Sequence, residues 1–245
     1  MSYRRIFAVA LIAGLAQLGL MGPAAADVSK GPYVAVEGGL AWTANLTYSP
    51  YYYSCGYPYY YYYCGAYYNA ITYNLGYSAG VQLGYAFGGP RVELEYNYRN
   101  NGASTIATVN NGTQSATGSL TSNNVLVNFL YDFDTGSQWV PYVGFGLGVA
   151  DVSANNIHAS VPVAAGGYLD GSSSKFAAQF IFGVEYAVSD NVGVTIDWRG
   201  LWASNANFTY GVGCPGGGTV NCGQTGTTTY DYWNGALNVG LRVKF

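Results

Sequence analysis

Three features of the sequence together predict an all-β protein, an eight-stranded antiparallel up-and-down barrel that crosses a membrane. Charged residues make up 9% of the 245 residues, against about 25% in soluble domains. After the N-terminal segment, no apolar run is long enough for a membrane-spanning helix. Glycine (35 residues) and tyrosine (26 residues) are both abundant. A barrel strand needs an apolar residue only at every second position, so this composition suits a transmembrane barrel.

The chain begins with the three parts of a secretory signal peptide. Arg4 and Arg5 are basic, IFAVALIAGLAQLGLMG is apolar, and GPAAA supplies small residues for cleavage after Ala26. We therefore expect residues 1–26 to be a signal peptide and residues 27–245 to form the barrel with four long surface loops. The expected mature chain carries seven Lys and Arg against twelve Asp and Glu, a net charge of −5. This balance gives no reason to expect a nucleic-acid partner.

Alternating apolar and polar residues, bounded by turn residues, predict the eight strands in order. They cover residues 33–43, 75–87, 91–99, 123–133, 140–150, 176–188, 192–203 and 232–245. The connections alternate in length: 88–90, 134–138 and 189–191 are short, whereas 44–74, 100–122, 151–175 and 204–231 are long. Outer-membrane barrels have short periplasmic turns and longer surface loops. An even number of strands then places both termini on the periplasmic side.

Each predicted strand has an apolar face and a polar face. On the last strand, Leu237, Val239 and Leu241 share one face, and Asn238 and Arg242 share the other. A shift by one residue would place charges in lipid, at about 2–4 kcal/mol for each Arg or Lys near the midplane. Aromatic residues near the strand ends predict two interfacial girdles. Their expected members are Tyr33, Tyr85, Phe87, Phe133, Trp139, Tyr186 and Phe245 near the turns, and Trp42, Tyr77, Tyr98, Trp202 and Trp233 near the loops.

Three stretches resemble a known family of proteins from Gram-negative bacteria. ALNVGLRVKF at 236–245 resembles the C-terminal signature of outer-membrane proteins, and WVPYVGFGLGVA at 139–150 and FIFGVEYAVSDNVGVTIDWR at 180–199 resemble strands of small opacity-type, OmpA-like barrels. The resemblance implies an eight-stranded barrel in the bacterial outer membrane. OmpA itself adds a peptidoglycan-binding domain after its barrel. Here we expect no second domain, so that function is not carried over.

The alternation points a set of charged side chains into the barrel interior, with Asp132 near its rim. The set is Glu37, Arg91, Glu93, Glu95, Arg99, Glu185, Asp197, Arg199 and Arg242. Eight strands enclose a space just wide enough for side chains, and buried charges need partners. We interpret the set as a structural salt-bridge network, with Arg242 expected beside Glu37. The alternatives are a narrow pore for ions or small solutes, favoured by many inward glycines, and acid–base catalysis, which poor substrate access disfavours.

All four cysteines lie in the predicted long loops. Cys55 and Cys64 are in the first loop, and Cys214 and Cys222 are in the fourth. Of the three possible connectivities, pairing within each loop is the natural choice, and pairing between the two loops stays open. A metal site is disfavoured because no histidine or CxxC spacing is nearby. We expect neither a metal nor a cofactor.

The sequence predicts no catalytic site. His158 is the single histidine, and Asp151, Ser153 and Ser160 are near it in sequence. A hydrolase acting on lipid would need such groups together. Because this loop is rich in small polar residues anyway, we interpret His158 as an exposed loop residue and keep a lipid-acting enzyme as an alternative.

The first loop contains an unusual run of tyrosine: nine of the thirteen residues from 51 to 63. They are Tyr51, Tyr52, Tyr53, Tyr57, Tyr59, Tyr60, Tyr61, Tyr62 and Tyr63. Tyrosine supplies rigid amphipathic contact area and is enriched in binding surfaces. We therefore expect a non-enzymatic envelope protein that presents this loop to a protein or glycan ligand, as an adhesin or antigen. The alternatives for the tyrosines are anchoring at the lipopolysaccharide interface and no specific role. Outer-membrane lipid and lipopolysaccharide are the other expected partners.

Overall fold

The computed structural model describes residues 30–47, 54–57, 60–63, 68–108, 112–159, 167–212 and 225–245. The expected signal peptide at 1–26 lies outside these residues. The strands are β1 (Lys30–Thr43), β2 (Leu46–Thr47), β3 (Ser54–Tyr57), β4 (Tyr60–Tyr63), β5 (Tyr68–Tyr73), β6 (Gly76–Phe87), β7 (Pro90–Thr108), β8 (Gly112–Asp132), β9 (Trp139–Ala159), β10 (Gly167–Ala187), β11 (Val192–Val212) and β12 (Thr225–Lys244). Within these ranges, no helix is long and apolar enough to span a bilayer.

Eight long strands close into a ring. Strands β1 and β6 to β12 each pair antiparallel with their neighbours, and β12 pairs back onto β1. At the closing seam, Val36 is opposite Leu241 and Leu40 is opposite Leu237. This arrangement confirms the predicted eight-stranded antiparallel barrel. Closure pairs both edges of every long strand within one molecule, which removes the free edges of an open sheet.

Three tight connections lie at one end of the barrel, which we call the turn end. They are formed by residues 88–89, 133–138 and 188–191. Gly88 (φ +86°) and Gly89 (φ +118°) adopt backbone angles that L side chains disfavour, so this turn requires glycine. The opposite end, which carries the first loop and the longer connections, is called the loop end.

The strands are longer than the sequence predicted. Strands β8 to β11 have 21 residues each, whereas about 9–11 tilted residues suffice to cross the hydrocarbon core. Much of the predicted second, third and fourth loops is therefore strand that continues the barrel wall. The prediction was wrong there because it followed outward apolar residues, and these stop where the wall leaves the lipid.

The chemistry of the wall is inverted along its length. In the half nearer the turn end, apolar side chains face outward and form a lipid-facing band. Its members include Val36, Leu40, Val81, Leu83, Leu94, Val127, Phe129, Phe145, Leu147, Phe180, Ile196, Leu237 and Val239. In the half nearer the loop end, the outward positions are mostly Ser, Thr and Asn, and apolar side chains are buried inside. On β9, for example, Leu147 faces outward, but Val152 and Ala154 are buried in the interior.

The first loop contains four short strands. Strand β2 pairs with β5, and β5 pairs with the loop-end part of β7, so these strands extend the wall above β1 and β6. Strands β3 and β4 form a separate two-stranded hairpin, in which Cys55 is opposite Tyr62. The predicted long loop is thus partly built of strands.

Candidate functional site: the filled barrel interior and the loop end

The structure places all nine predicted charged side chains inside the barrel. Each is at most 9% exposed, and Asp132 at the turn-end rim is 3% exposed. Strand alternation brings them there because each lies at an inward position of β1, β7, β10, β11 or β12. Most of them belong to a central group around Arg199 or to a group near the turn end around Arg242, and Arg99 lies among neutral polar residues nearer the loop end.

Arg199 on β11 holds three carboxylates in the central group. Its guanidinium lies 2.9 Å from Glu37, 2.6 Å from Glu95 and 3.1 Å from Asp197. Neutral amides complete this arrangement, since Asn128 Nδ2 and Gln179 Nε2 each donate to Glu95 Oε2 at 2.6 Å. The carboxylates therefore stay buried because charged and neutral donors reach the same oxygens.

The sequence predicted that Arg242 would pair with Glu37, and this prediction was wrong. Its guanidinium contacts Glu185 and lies 3.7 Å from Asp132. In the register, Arg242 is opposite Ala35, whereas Glu37 is opposite Gly240. Arg242 is thus one inward position nearer the turn end, where Glu185 and Asp132 are accessible and where Arg91 also pairs with Asp132 at 3.3 Å.

Tyr33 belongs to the interior and not to the lipid-facing girdle predicted for it. Its ring is 2% exposed, and its hydroxyl donates to Glu93 Oε1 at 2.7 Å. The guanidinium carbons of Arg91 and Arg242 lie 5.6 Å and 5.3 Å from the centre of the ring. The signal was present in the sequence, because Tyr33 has the same parity on β1 as Glu37.

Above the central group, neutral polar residues surround a buried arginine. Arg99 donates from Nε to Asn97 Oδ1 at 2.8 Å and from Nη1 to the Asn234 carbonyl at 3.0 Å. Asn101 and Asn124 donate to backbone carbonyls of the wall. Strand alternation predicts that Asn97 and Asn234 face inward with the charged residues. It did not single out Asn101, which lies in the predicted second loop, or Asn124, which is uncharged.

The loop-end half of the interior is filled by a second, apolar cluster, which we call the apolar plug. Its buried members are Leu46, Ile71, Ala103, Ile106, Leu120, Leu126, Ala150, Val152, Ala154, Ile157, Leu169, Ala177, Leu201, Ala203, Ala206, Phe208 and Tyr232. They come from every long strand from β7 to β12 and from β2 and β5. The barrel interior is therefore occupied at two levels, by charges nearer the turn end and by hydrocarbon nearer the loop end.

A small cavity lies between the two charged groups. It has a volume of about 10 Å³ and is lined in part by Glu37, Gln82, Glu93, Arg91 and Thr195. Gln82 is 1% exposed, and neither polar atom of its amide has a hydrogen-bond partner among the residues that the structure describes. A space of this size holds about one water molecule.

The predicted recognition loop is described in part. Tyr57 and Tyr60 to Tyr63 lie in the β3–β4 hairpin. Tyr51, Tyr52, Tyr53 and Tyr59 lie outside the described residues. The two predicted disulfides also stay predictions, because Cys64, Cys214 and Cys222 lie outside the described residues and Cys55 alone is placed, on β3.

The possible catalytic group around His158 is not brought together. His158 Nδ1 lies 2.8 Å from the Asn156 carbonyl and Nε2 lies 3.1 Å from Thr117 Oγ1. The carboxylate of Asp151 instead accepts a hydrogen bond from Ser174 at 2.9 Å. Ser160 lies outside the described residues. Across the residues that the structure describes, no group of three His, Cys, Asp or Glu is placed to hold a metal ion.

The fold of this barrel is similar to that of solved bacterial outer-membrane proteins. Neisserial surface protein A is 20% identical, with a TM-score of 0.53 over 88% of this chain and 97% of that one. OprG from Pseudomonas aeruginosa is 14% identical, with a TM-score of 0.54 over 89% and 99%. The outer-membrane protease OmpT from Escherichia coli is 10% identical, with a TM-score of 0.49 over 89% and 97%. At these identities the likeness concerns the fold.

The sequence comparisons agree. Outer membrane protein PagN of Salmonella typhimurium is 26% identical over 142 residues, which make up 54% of this chain and 59% of PagN. The chain thus matches less than two thirds of the length of that relative. The family model of the outer membrane protein β-barrel domain matches residues 8–245. The chain therefore belongs to the family of bacterial outer-membrane proteins that is defined by this β-barrel domain.

Proposed function

We propose that the chain is a rigid, non-enzymatic outer-membrane scaffold that presents its tyrosine-rich first loop for recognition of a protein or glycan, in the manner of an adhesin or antigen. In this proposal the turn end and both termini face the periplasm, and the loop end faces outward. Lipopolysaccharide and outer-membrane lipid surround the lipid-facing band.

The observation that carries the proposal is the filling of the barrel at two levels. Arg199 binds three carboxylates in the central group, and the apolar plug occupies the loop-end half. Such an interior gives a stiff wall and leaves little room for a substrate or solute. The first loop, in contrast, contains the separate β3–β4 hairpin, and residues 44–90 contain no charged side chain. A partner of this loop would therefore be bound through aromatic and hydrogen-bonding contacts rather than through charge.

The test is adhesion by bacteria that produce the protein with residues 51–63 replaced by a Gly/Ser linker. Loss of binding to a cell or matrix surface that the parent protein binds is the expected result. A matched control replaces residues 160–166, which belong to another loop-end connection. Equal binding by the parent, the variant and the control on every surface tested would sink the recognition proposal.

A narrow pore is the second candidate, and the small cavity beside Gln82 is the observation that favours it. The purified protein in planar lipid bilayers would then give discrete conductance steps, and Leu120→Gly in the apolar plug would increase them. Silent bilayers with correctly folded protein would exclude this candidate.

A lipid-acting enzyme is the third candidate. It predicts a changed lipid profile in cells that overproduce the protein and a normal profile with His158→Ala. An unchanged profile in both strains is expected from the scaffold proposal.

A further inference from the structure

An apolar groove runs along the outer surface of the barrel near the turn end. Its volume is about 660 Å³. Phe245, which follows β12, and Tyr85 and Phe87 of β6 line it on either side of the shorter Pro32 and Val34 of β1. Val92 and Leu94 of β7 continue the lining beyond β6. Because these positions belong to the outward face of a membrane barrel, the groove opens toward lipid.

Two local features build the groove. Gly31 has a φ of +140°, and a Cβ atom there would lie 2.8 Å from the Phe245 backbone oxygen. Glycine thus lets the end of β12 close against β1, where Phe245 N donates to the Pro32 carbonyl at 3.0 Å. On the other side, the rings of Tyr85 and Phe87 have centroids 4.8 Å apart and form a continuous ridge. The depression between the Tyr85–Phe87 ridge and the Phe245 ring is therefore specified by the sequence.

An exposed lysine lies beside the groove at the turn end. Lys30 is exposed and is opposite Phe87 in the register. None of the ion pairs found among the described residues involves Lys30, whereas Lys244 nearby is paired with Glu185 at 3.1 Å. The acidic turn residues Asp134 and Asp190 belong to the other two turns. The Lys30 ammonium is thus available to an anion at the level where the apolar surface ends.

We propose that this groove, together with Lys30, binds one anionic phospholipid of the leaflet at the turn end. One acyl chain lies over Pro32 and Val34 between Phe245 and the Tyr85–Phe87 ridge, and the phosphate lies beside the Lys30 ammonium. An anionic headgroup is favoured because Lys30 supplies one positive charge that takes part in none of the ion pairs among the described residues. The choice of phospholipid over lipopolysaccharide rests on the orientation given under the proposed function, in which this leaflet faces the periplasm.

The test is native mass spectrometry of the protein released from nanodiscs that contain phosphatidylethanolamine and phosphatidylglycerol. One retained phosphatidylglycerol molecule per barrel is expected. Lys30→Gln should lower the share of barrels that retain phosphatidylglycerol about fivefold, the size expected for one lysine near an anionic membrane surface, and Val34→Trp should remove retained lipid of both kinds by filling the groove. Lys175→Gln, at a half-buried lysine nearer the loop end, and Val127→Trp, on the lipid-facing side of β8, are the matched controls and should retain lipid as the parent does.

Three outcomes would overturn the site: no lipid retained by the folded parent, equal loss of lipid in Val34→Trp and Val127→Trp, or equal retention of phosphatidylglycerol by the parent and Lys30→Gln. A heat-shift gel confirms that each variant is folded, and Val34→Phe serves if the tryptophan variant is not. A parallel nanodisc with lipopolysaccharide distinguishes the two lipid sources, and its preferential retention would refute the assignment to phospholipid. None of these readouts depends on adhesion, so a failed adhesion test and a failed lipid test are separate results.

Discussion

At the scale of single residues, the interior depends on a few side chains that each satisfy several partners. Arg199 is the clearest case, because Glu37, Glu95 and Asp197 all lie within 3.1 Å of its guanidinium. Removing one partner from a buried ion pair leaves an uncompensated charge, which costs more than the pair itself contributes. The positive charge of the arginine therefore offsets the repulsion among three carboxylates that lie close together in a space with little water.

We expect Arg199→Leu to destabilise the folded barrel by about 3–5 kcal/mol, the usual cost of breaking a buried ion pair from one side. Urea unfolding in lipid vesicles, followed by the heat-shift of the folded band on gels, measures this change. Lys175→Leu removes a half-buried cation that none of the ion pairs among the described residues involves, so it should shift the midpoint much less. If both variants unfold at the same urea concentration as the parent, Arg199 does not stabilise the interior in this way.

The contact between Tyr33 and Gly84 gives a second prediction at this scale. These residues are opposite each other on β1 and β6, and a Cβ atom at position 84 would overlap the Tyr33 ring. Gly84→Val should therefore lower stability by about 1–3 kcal/mol through overpacking. Tyr33→Ala should recover part of this loss in the double variant, and a double-mutant cycle by urea unfolding measures the coupling. Strictly additive effects would contradict the contact.

At the scale of strands, each long strand joins two segments with opposite chemistry. On β11, Ile196 faces outward in the lipid-facing band, but Phe208 is buried in the apolar plug at 1% exposure. The change of face near the loop end is accompanied by local irregularities. The register shifts between Ala203 and Ala206, where Asn205 has a φ of +51° and donates its N–H to Asp231 Oδ1 at 2.9 Å. Such a bulge increases the local twist of the strand.

The change of face along each long strand separates the part of the fold that the sequence could predict from the part that it could not. The lipid-facing halves were predictable, because an outward apolar residue at every second position has a single explanation in a chain with so little charge. The loop-end halves were not, because Ser, Thr and Asn alternating with small apolar residues are equally typical of a loop. Inside the barrel, parity gave the set of charged residues, but it could not give partners such as Arg242 with Glu185, since long side chains reach along the lumen as well as across it.

The packing of the apolar plug can be tested without disturbing the transmembrane part of the barrel. Phe208→Ala should cost about 3–5 kcal/mol through the cavity left in the apolar plug. Because the lipid-facing band is unaffected, the variant should still insert, but limited proteolysis should cut its loop-end segments faster than those of the parent. Thr209→Ala, at the exposed neighbouring position, is the matched control. Equal proteolysis of both variants would show that the plug is not packed.

At the scale of the whole molecule, the barrel behaves as two stacked bodies that share one wall. The part nearer the turn end has an apolar exterior and a charged interior, as suits a body in lipid. The part nearer the loop end has a polar exterior and an apolar interior, as suits a body in water. A continuous ladder of strands connects them, and the part nearer the loop end has its own core. The change of exterior chemistry fixes where the membrane surface lies.

The position of the membrane can be tested with one charge at two heights on β12. Val239 lies within the lipid-facing band at 58% exposure, and Thr227 faces outward near the loop end, roughly 40 Å away along the strand. Val239→Arg should destabilise the barrel in lipid vesicles by about 2–4 kcal/mol, because a charge there must leave water for hydrocarbon. Thr227→Arg should change stability by less than about 0.5 kcal/mol, as is usual for surface substitutions. Urea titration in vesicles compares the two variants with the parent, and titration in detergent micelles tests whether the difference requires a bilayer. Equal costs at the two positions would mean that the bilayer does not end between them, and that the loop-end half is not the aqueous body inferred from its polar exterior.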